Sequence, residues 1–249
     1  MSKLSGKVAI VTGASKGIGA GIASGFAQEG ASIVVNYASS KEGADRVVAG
    51  ITGQGGKAIA IQGDIANAAD VQRIFSETMS AFGRFDILVN NAGIYQFAPI
   101  DDFTEEHFHR QFNTNVLGLL LASREAVKHF GEDGGSIINI GSSVTSTYPP
   151  SGVTYTASKS AVDAITKVLS KELGSRKIRV NSINPGLVET EGTRTIGFIG
   201  GDWQKKREAQ TPLGRAGQPG DITPVAIFLA SADSGWLTGE TLLASGGLR

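Results

Sequence analysis

The feature that most constrains this 249-residue chain is a recurring unit: a short apolar, β-branched run, a break at Gly or Asn, then helical periodicity. Val8-Ala9-Ile10-Val11 opens the series, and Ile18, Ile22 and Phe26 recur every four residues behind it, marking one face of a helix. Ser32-Ile33-Val34-Val35-Asn36 predicts a second strand and Ala58-Ile59-Ala60-Ile61-Gln62 a third, with a polar helix between them. Val71, Ile74, Phe75, Met79 and Phe82 predict the next helix, and Ile87-Leu88-Val89-Asn90 the fourth strand. Phe108, Phe112, Val116 and Leu120 step by four along one long helix, followed by a fifth strand at Ser136-Ile137-Ile138-Asn139-Ile140. A helix over 154–173 turns Ala161, Val162, Ile165, Val168 and Leu169 to the core. Arg179-Val180-Asn181-Ser182-Ile183 and Thr241-Leu242-Leu243-Ala244 predict the sixth and seventh strands.

Strands that read as unbroken apolar runs are covered on both faces, the mark of a parallel sheet. The order therefore predicts an α/β fold: one doubly wound, seven-stranded parallel sheet with helices on both faces, in a single domain over 1–249. The Gly- and Pro-rich stretch 187–220 predicts a long irregular lid over a substrate site, with a surface insertion as the alternative.

Charge and composition narrow the function. Lys plus Arg and Asp plus Glu are 23 each, so the formal charge is zero and a nucleic-acid partner reading a basic surface is not expected. There are no cysteines, which removes disulfides, thiol catalysis and cysteine metal sites. The three histidines do not form a metal-binding spacing, so no metal is expected. The apolar run at 8–11 is too short for a signal-peptide core, and no stretch reaches the roughly 18 apolar residues of a membrane span. The expectation is a cytoplasmic protein with no membrane partner.

The chemistry gathers where strands end, the edge at which open parallel sheets bind ligands. Thr12-Gly13-Ala14-Ser15-Lys16-Gly17-Ile18-Gly19 joins the first strand to a helix. Glycines there let backbone approach a pyrophosphate, and the helix offers free N–H groups and a positive dipole end. After the second strand comes Asn36-Tyr37-Ala38-Ser39, with no carboxylate until Glu42. NAD-specific folds place Asp or Glu there for the ribose 2′-hydroxyl. Hydroxyls, amides and Lys16 suit a 2′-phosphate better, so NADP(H) is preferred and NAD(H) stays possible. Asp64, followed by Ile65, ends the third strand, either as an acceptor for the adenine amino group or as a helix cap.

Tyr155 and Lys159, four apart, share one helix face. A phenol ionises near pH 10, and a nearby ammonium lowers that value, which suits proton exchange with a carbonyl or alcohol oxygen. Ser142, just past the fifth strand, is placed to hydrogen-bond the substrate oxygen. Asn115, in the long helix, is read either as a holder of a relay water or as a core amide.

Taken together, these residues resemble the short-chain dehydrogenase/reductase family along essentially the whole chain. The likeness rests on the TGxxxGxG loop at 12–19, Asp64, Asn90-Asn91-Ala92-Gly93, Asn115, Ser142, Tyr155, Lys159 and Pro185-Gly186-Leu187-Val188-Glu189-Thr190. It implies a Rossmann fold and hydride transfer between nicotinamide and a carbonyl carbon. By the same resemblance Tyr155 is the general acid/base, Lys159 lowers its pKa and binds the nicotinamide ribose, Ser142 steadies the substrate and Asn115 maintains a water relay. Asn90, Ala92 and Gly93 would line the cofactor, and the Pro185-Gly186 turn with Val188 and Thr190 would hold its carboxamide end. A homotetramer is implied as well. One departure is Ser245 before the final Gly-Gly, where many relatives have Asp.

Within the family the chain is most similar to bacterial 3-oxoacyl-carrier-protein reductases, glucose-dehydrogenase-like enzymes and carbonyl reductases. A carrier protein is acidic and wants a basic rim, yet Gly131-Glu132-Asp133-Gly134-Gly135 is acidic and the Lys205-Lys206-Arg207 run is flanked by Asp202 and Glu208. Tyr95, Phe97, Val144, Tyr148, Pro149, Phe198 and Trp203 would line a pocket suited to an aryl or alkyl ketone rather than a bare sugar. The expected partner is thus a free small-molecule ketone or alcohol. A carrier-bound thioester, a polyol and a non-catalytic nucleotide-binding regulator remain as alternatives.

Overall fold

A computed structural model describes residues 2–249. Seven parallel strands form one sheet in the order β3-β2-β1-β4-β5-β6-β7: β1 Val8–Val11, β2 Ser32–Tyr37, β3 Lys57–Gln62, β4 Ile87–Asn90, β5 Gly135–Ile140, β6 Ile178–Pro185 and β7 Thr241–Ala244. Successive residues of a strand point to opposite faces, so each apolar run serves two cores. Ala9, Val11, Ile33, Val35, Ile87 and Val89 pack against helices α1 Gly17–Gln28 and α2 Lys41–Gly53, and against the helix near the C-terminus. Ile10, Val34, Leu88 and Ile137 pack on the other face with α3 Ala68–Phe82 and with the helices that precede and follow β5.

The long helix predicted around Phe108 to Leu120 is interrupted. Glu105–Phe112 (α4) runs into a wider π turn at Asn113–Gly118 and continues as α5, Leu119–His129. The π turn shifts the helix phase, a pattern often found at functional sites. The every-four apolar stripe does not face the core: Phe108 and Phe112, ahead of the turn, are already only half-buried. Gln111, Asn115, Gly118 and Ala122 are buried, while Leu117 and Leu120 are exposed. A short α6, Val144–Thr147, precedes α7, Val153–Leu173. On α7 Val162 is buried as expected, but Val168 is exposed.

The stretch 187–220 is more ordered than its Gly and Pro content predicts. It holds α8 Glu191–Thr195 and α9 Asp202–Gln210, and Val188 makes a parallel bridge to Gly217. The helix α10, Pro219–Ala230, has no counterpart in the expectation. Its signals were present: Pro at the first turn, Asp221 as a capping partner, and Ile222, Ala226 and Leu229 buried on one face. Among the described residues, no helix is long and apolar enough to cross a membrane.

Candidate active site

The edge where the strands end is built by side chains that tie neighbouring turns together. Thr12 follows β1, and its hydroxyl accepts the N–H groups of Asn91 and Ala92, both at 3.0 Å. The Asn91 amide donates back to the carbonyls of Thr12 (2.8 Å) and Gly13 (3.1 Å). Asn36 Oδ1 accepts the Gly13 N–H at 3.3 Å, and its Nδ2 donates to the carbonyls of Ile61 (3.3 Å) and Gly63 (3.1 Å). The Asn36 amide therefore shapes the turn from within the sheet rather than facing outward toward a ribose. Tyr37 is buried beside it, and Ala38 and Ser39 are the exposed residues of that loop.

The loop from Gly13 to Gly19 fits a dinucleotide. Lys16 begins α1 without any side-chain cap, and no acidic residue stands in the first turn. Among the described residues, the N–H groups of Gly17, Ile18 and Gly19 meet no acceptor. Such free donors at a helix start are what a pyrophosphate takes. Gly17 faces Thr190 across the cleft, where a β-carbon would lie 3.2 Å from the threonine methyl. Thr190 itself caps α8 by accepting the Thr193 N–H at 3.2 Å. Ser15 is partly exposed at the loop floor, its carbonyl against Gly43.

The other expected contacts divide between cleft and frame. Asp64 is exposed and accepts the Ala66 N–H at 2.9 Å. The helix cap it could have supplied is made by Asn67, which accepts from Ala69 and Asp70. Ile65 is buried against Gly118 of the π turn. Asn90 belongs to a buried chain: it donates to Ser123 (3.1 Å) and Asn139 (2.9 Å), and Asn139 donates to Thr166 on α7 at 2.9 Å. The Pro185 carbonyl accepts the Ser143 N–H at 2.8 Å, and Gly186 packs directly on Ser245. Ser245, the departure noted in the sequence, donates to the Leu248 carbonyl at 2.7 Å. Val188 is buried at the start of the 187–220 stretch.

Ser142, Tyr155 and Lys159 come together as expected. Ser142 Oγ faces the Tyr155 phenol, whose anion it favours, and accepts the Val144 N–H at 3.3 Å. Lys159 is buried, its ammonium 5.9 Å from the Tyr155 ring centre and donating to the Ile140 carbonyl at 2.8 Å. Gly93 lies over this group, where a β-carbon would sit 3.3 Å from Asn115 Oδ1 and 3.5 Å from Lys159 Nζ. Asn115 is a clamp. Its Oδ1 accepts the Ile94 N–H at 2.8 Å, and its Nδ2 donates to the Ile94 carbonyl (2.9 Å) and Ser158 Oγ (3.0 Å). Ser158 in turn donates to the Tyr155 carbonyl at 2.8 Å, so the π turn is fastened to α7. Sequence reasoning did not single out Thr12, Asn91 or Ser158 as members of this framework.

The electrostatics differ from the sequence expectation. Burial pushes the Tyr155 phenol up to about 12, against the weaker opposing effect of the Ser142 hydrogen bond. Burial also brings Lys159 down to about 8, with Asp163 acting the other way. The ammonium is bonded to a carbonyl rather than to the phenol, so desolvation of both groups outweighs their mutual help. A neutral phenol at ordinary pH can give a proton to a carbonyl oxygen, whereas taking one from an alcohol requires its anion. Ketone reduction is therefore expected to hold up to about pH 8 and to decline above it, as Lys159 loses its charge. A kcat/KM profile checks this. In Lys159→Arg the decline should move to higher pH, and an unmoved limb would assign it to another group.

Aromatic rings surround the phenol. Tyr95 and Phe97 stand 6.2 Å and 5.5 Å from the Tyr155 ring, centre to centre. Phe97 meets Phe198 edge-on at 5.5 Å, and Phe198 stacks on Trp203 at 4.3 Å. Val144 is buried nearby in sequence, Pro149 accepts the Gly152 N–H, and Tyr148 is exposed and outside this set of rings.

Comparison with known proteins places this arrangement in context. A family model described as enoyl-(acyl carrier protein) reductase matches residues 13–249. An uncharacterized oxidoreductase of Methylorubrum extorquens is 57% identical over the full length of both chains. A hydroxynaphthalene reductase-like protein of Metarhizium brunneum is 40% identical, covering 98% of this chain and 95% of its own. A short-chain dehydrogenase from Burkholderia cenocepacia, solved in complex with NADP, is 36% identical with a TM-score of 0.93 over 99% of each chain.

Proposed function

The chain belongs to the short-chain dehydrogenase/reductase family of oxidoreductases, and from that premise we propose that it is an NADP(H)-dependent reductase of small or medium free ketones. The observation that carries the reading is the Ser142–Tyr155–Lys159 group, its half-buried phenol held neutral beside an apolar, aromatic wall. A nicotinamide, when bound, supplies the hydride that reaches the carbonyl carbon. Gly17, Ile18 and Gly19 would hold the pyrophosphate, and Val188 and Thr190 the carboxamide end. Ser142 donates a hydrogen bond to the substrate oxygen, and Tyr155 gives that oxygen its proton as charge builds on it. Lys159 keeps positive charge beside the phenolate that remains. Asn115 and Ser158 fix the positions of the 94–98 segment and of Tyr155.

Cofactor choice follows from the loop after β2. Lys16 is exposed at the glycine loop, while Lys41 is paired with Asp45 at 2.6 Å and Glu42 with Arg46 at 2.8 Å. Lys16 and the Ser39 hydroxyl are then the groups for a 2′-phosphate, and no carboxylate opposes it. The solved relative in complex with NADP agrees with this reading. A homotetramer is part of it too: Leu117, Leu120 and Val168 leave apolar side chains exposed on adjoining helices, and a sedimentation measurement of subunit number tests that. The reading is of a cytoplasmic protein, with 187–220 acting as the substrate lid of its one domain.

The experiment is consumption of NADPH and NADH, side by side, against aryl ketones, diketones, a β-keto ester, a sugar ketone and an acetoacetyl-carrier protein. NADPH-dependent turnover of free ketones is expected, and much faster reduction of the carrier-bound thioester would sink the free-ketone reading. Ala38→Asp puts the missing carboxylate at the β2 edge. It should raise the NADH-over-NADPH ratio of kcat/KM by about tenfold or more, through repulsion of the 2′-phosphate and a new ribose hydrogen bond. An unchanged ratio would place cofactor selection elsewhere.

A further inference from the structure

We propose that Phe97 and Phe198 are the specificity-determining pair for ketones whose carbonyl is attached directly to an aromatic ring. The inference rests on the ketone-reductase reading and names the substrate class of the same site.

Three segments of chain supply the rings. Phe97 comes from the stretch after β4, next to the Ile94 backbone that Asn115 clamps. Phe198 comes from the turn after α8 and Trp203 from the first turn of α9. Gly197, at φ 78°, reverses the chain so that the Phe198 ring meets Phe97, and the Phe198 N–H is anchored to the Thr193 carbonyl at 2.9 Å. The start of α8 is held to the same wall. At Gly192 a β-carbon would fall 2.2 Å from the Tyr95 hydroxyl, so any side chain there would push that phenol aside. The lid thus reaches the catalytic tyrosine by two aromatic routes, through Tyr95 and through Phe97.

Distance defines the substrate. Phe97 lies 5.5 Å from the Tyr155 ring and 5.5 Å from Phe198, centre to centre. A guest ring packed on Phe97 and Phe198 has its centre about 5 Å from each, the spacing of edge-to-face and offset aromatic pairs. Because Phe97 is shared between this wall and the phenol, the guest ring is one aromatic neighbour away from Tyr155, within reach of a carbonyl bonded directly to that ring. Aromatic walls of this kind favour a flat π face over a saturated ring of similar size. Trp203, stacked on the outer face of Phe198, backs the wall from the solvent side.

The test compares acetophenone with cyclohexyl methyl ketone, its saturated counterpart, and with 4-phenylbutan-2-one, which moves the ring two carbons away. All three are measured with NADPH, with 2,3-butanedione as a ketone lacking any ring. The parent enzyme is expected to give acetophenone the highest kcat/KM of the three. Phe97→Leu and Phe198→Leu are each expected to lower the acetophenone-over-cyclohexyl ratio about fivefold to tenfold. Melting curves establish that both variants are folded, and Trp203→Leu supplies a milder third variant should either one fail. Ratios unchanged in the folded variants, with the ketones still reduced, would overturn the aromatic assignment and leave the reductase reading standing. Failure to reduce any of the four ketones would strike the reductase reading itself.

Discussion

A Tyr155→Phe enzyme is expected to bind reduced cofactor much as the parent does and to reduce ketones about 10³-fold more slowly, within the range set by a positioned proton donor. The phenylalanine keeps the ring that packs against Tyr95 and Phe97 and loses only the hydroxyl that meets Ser142. Cofactor binding, followed by NADPH fluorescence, then separates the lost proton from a collapsed site. Unchanged turnover would remove Tyr155 from the chemistry. Retained cofactor affinity with no turnover in the parent enzyme would instead favour a nucleotide-binding regulator.

The second large effect is expected at a residue that touches no substrate. Gly13 has φ 61°, in the left-handed region, and a β-carbon there would lie 2.8 Å from Ala92 Cα and 3.3 Å from the Ala92 nitrogen. Both obstacles are backbone, fixed by the Thr12–Asn91 hydrogen bonds, so neither can yield cheaply. Gly13→Val combines a strained φ at a β-branched residue with overpacking. Each costs about 1–3 kcal/mol, which together should destabilise the fold by about 2–6 kcal/mol. The same displacement spoils the turn that offers the glycine-loop N–H groups. Chemical denaturation and cofactor titration should therefore fail together, and a stable variant that binds cofactor normally would refute the argument.

The sheet was legible because its evidence is repeated. Each strand is an apolar run long enough to cover two faces, and the same chemistry recurs where the strands end. Tyr155 and Lys159 were legible from their helical spacing taken together with Ser142 after β5 and the family resemblance, since the pair alone is weak evidence. What was not legible depends on partners distant in sequence. Asn36 and Asn90 look like exposed loop-edge amides in one dimension. In the fold, the Ile61 and Gly63 carbonyls draw the first inward, and Ser123 and Asn139 draw the second. The direction of the Tyr155 and Lys159 shifts was missed for a related reason: pair spacing shows the neighbour but not the burial that outweighs it. The π turn escaped because one widened turn leaves no mark on composition, and the apolar stripe at 108–120 reads as the buried face, a place that the polar and small residues Gln111, Asn115 and Gly118 hold. The helices of the 187–220 stretch are short, and their glycines read as breaks.

The strand order has a consequence for how the molecule is assembled. β2 and then β3 extend one side of β1; the chain then returns to β1 with β4, and β5, β6 and β7 each join the strand made just before them. The sheet can thus enlarge from its middle in the order of synthesis, with no late strand inserted between two earlier ones. The nucleotide cradle closes once β4 meets β1, and the phenol and ammonium arrive with the helix after β5. The lid is secured last, when the Gly186 N–H finds the Ala244 carbonyl on β7. A nascent chain would therefore shape the turn for the pyrophosphate early, while the far end of the coenzyme site waits for Val188 and Thr190 and the helix behind the glycine loop waits for α10.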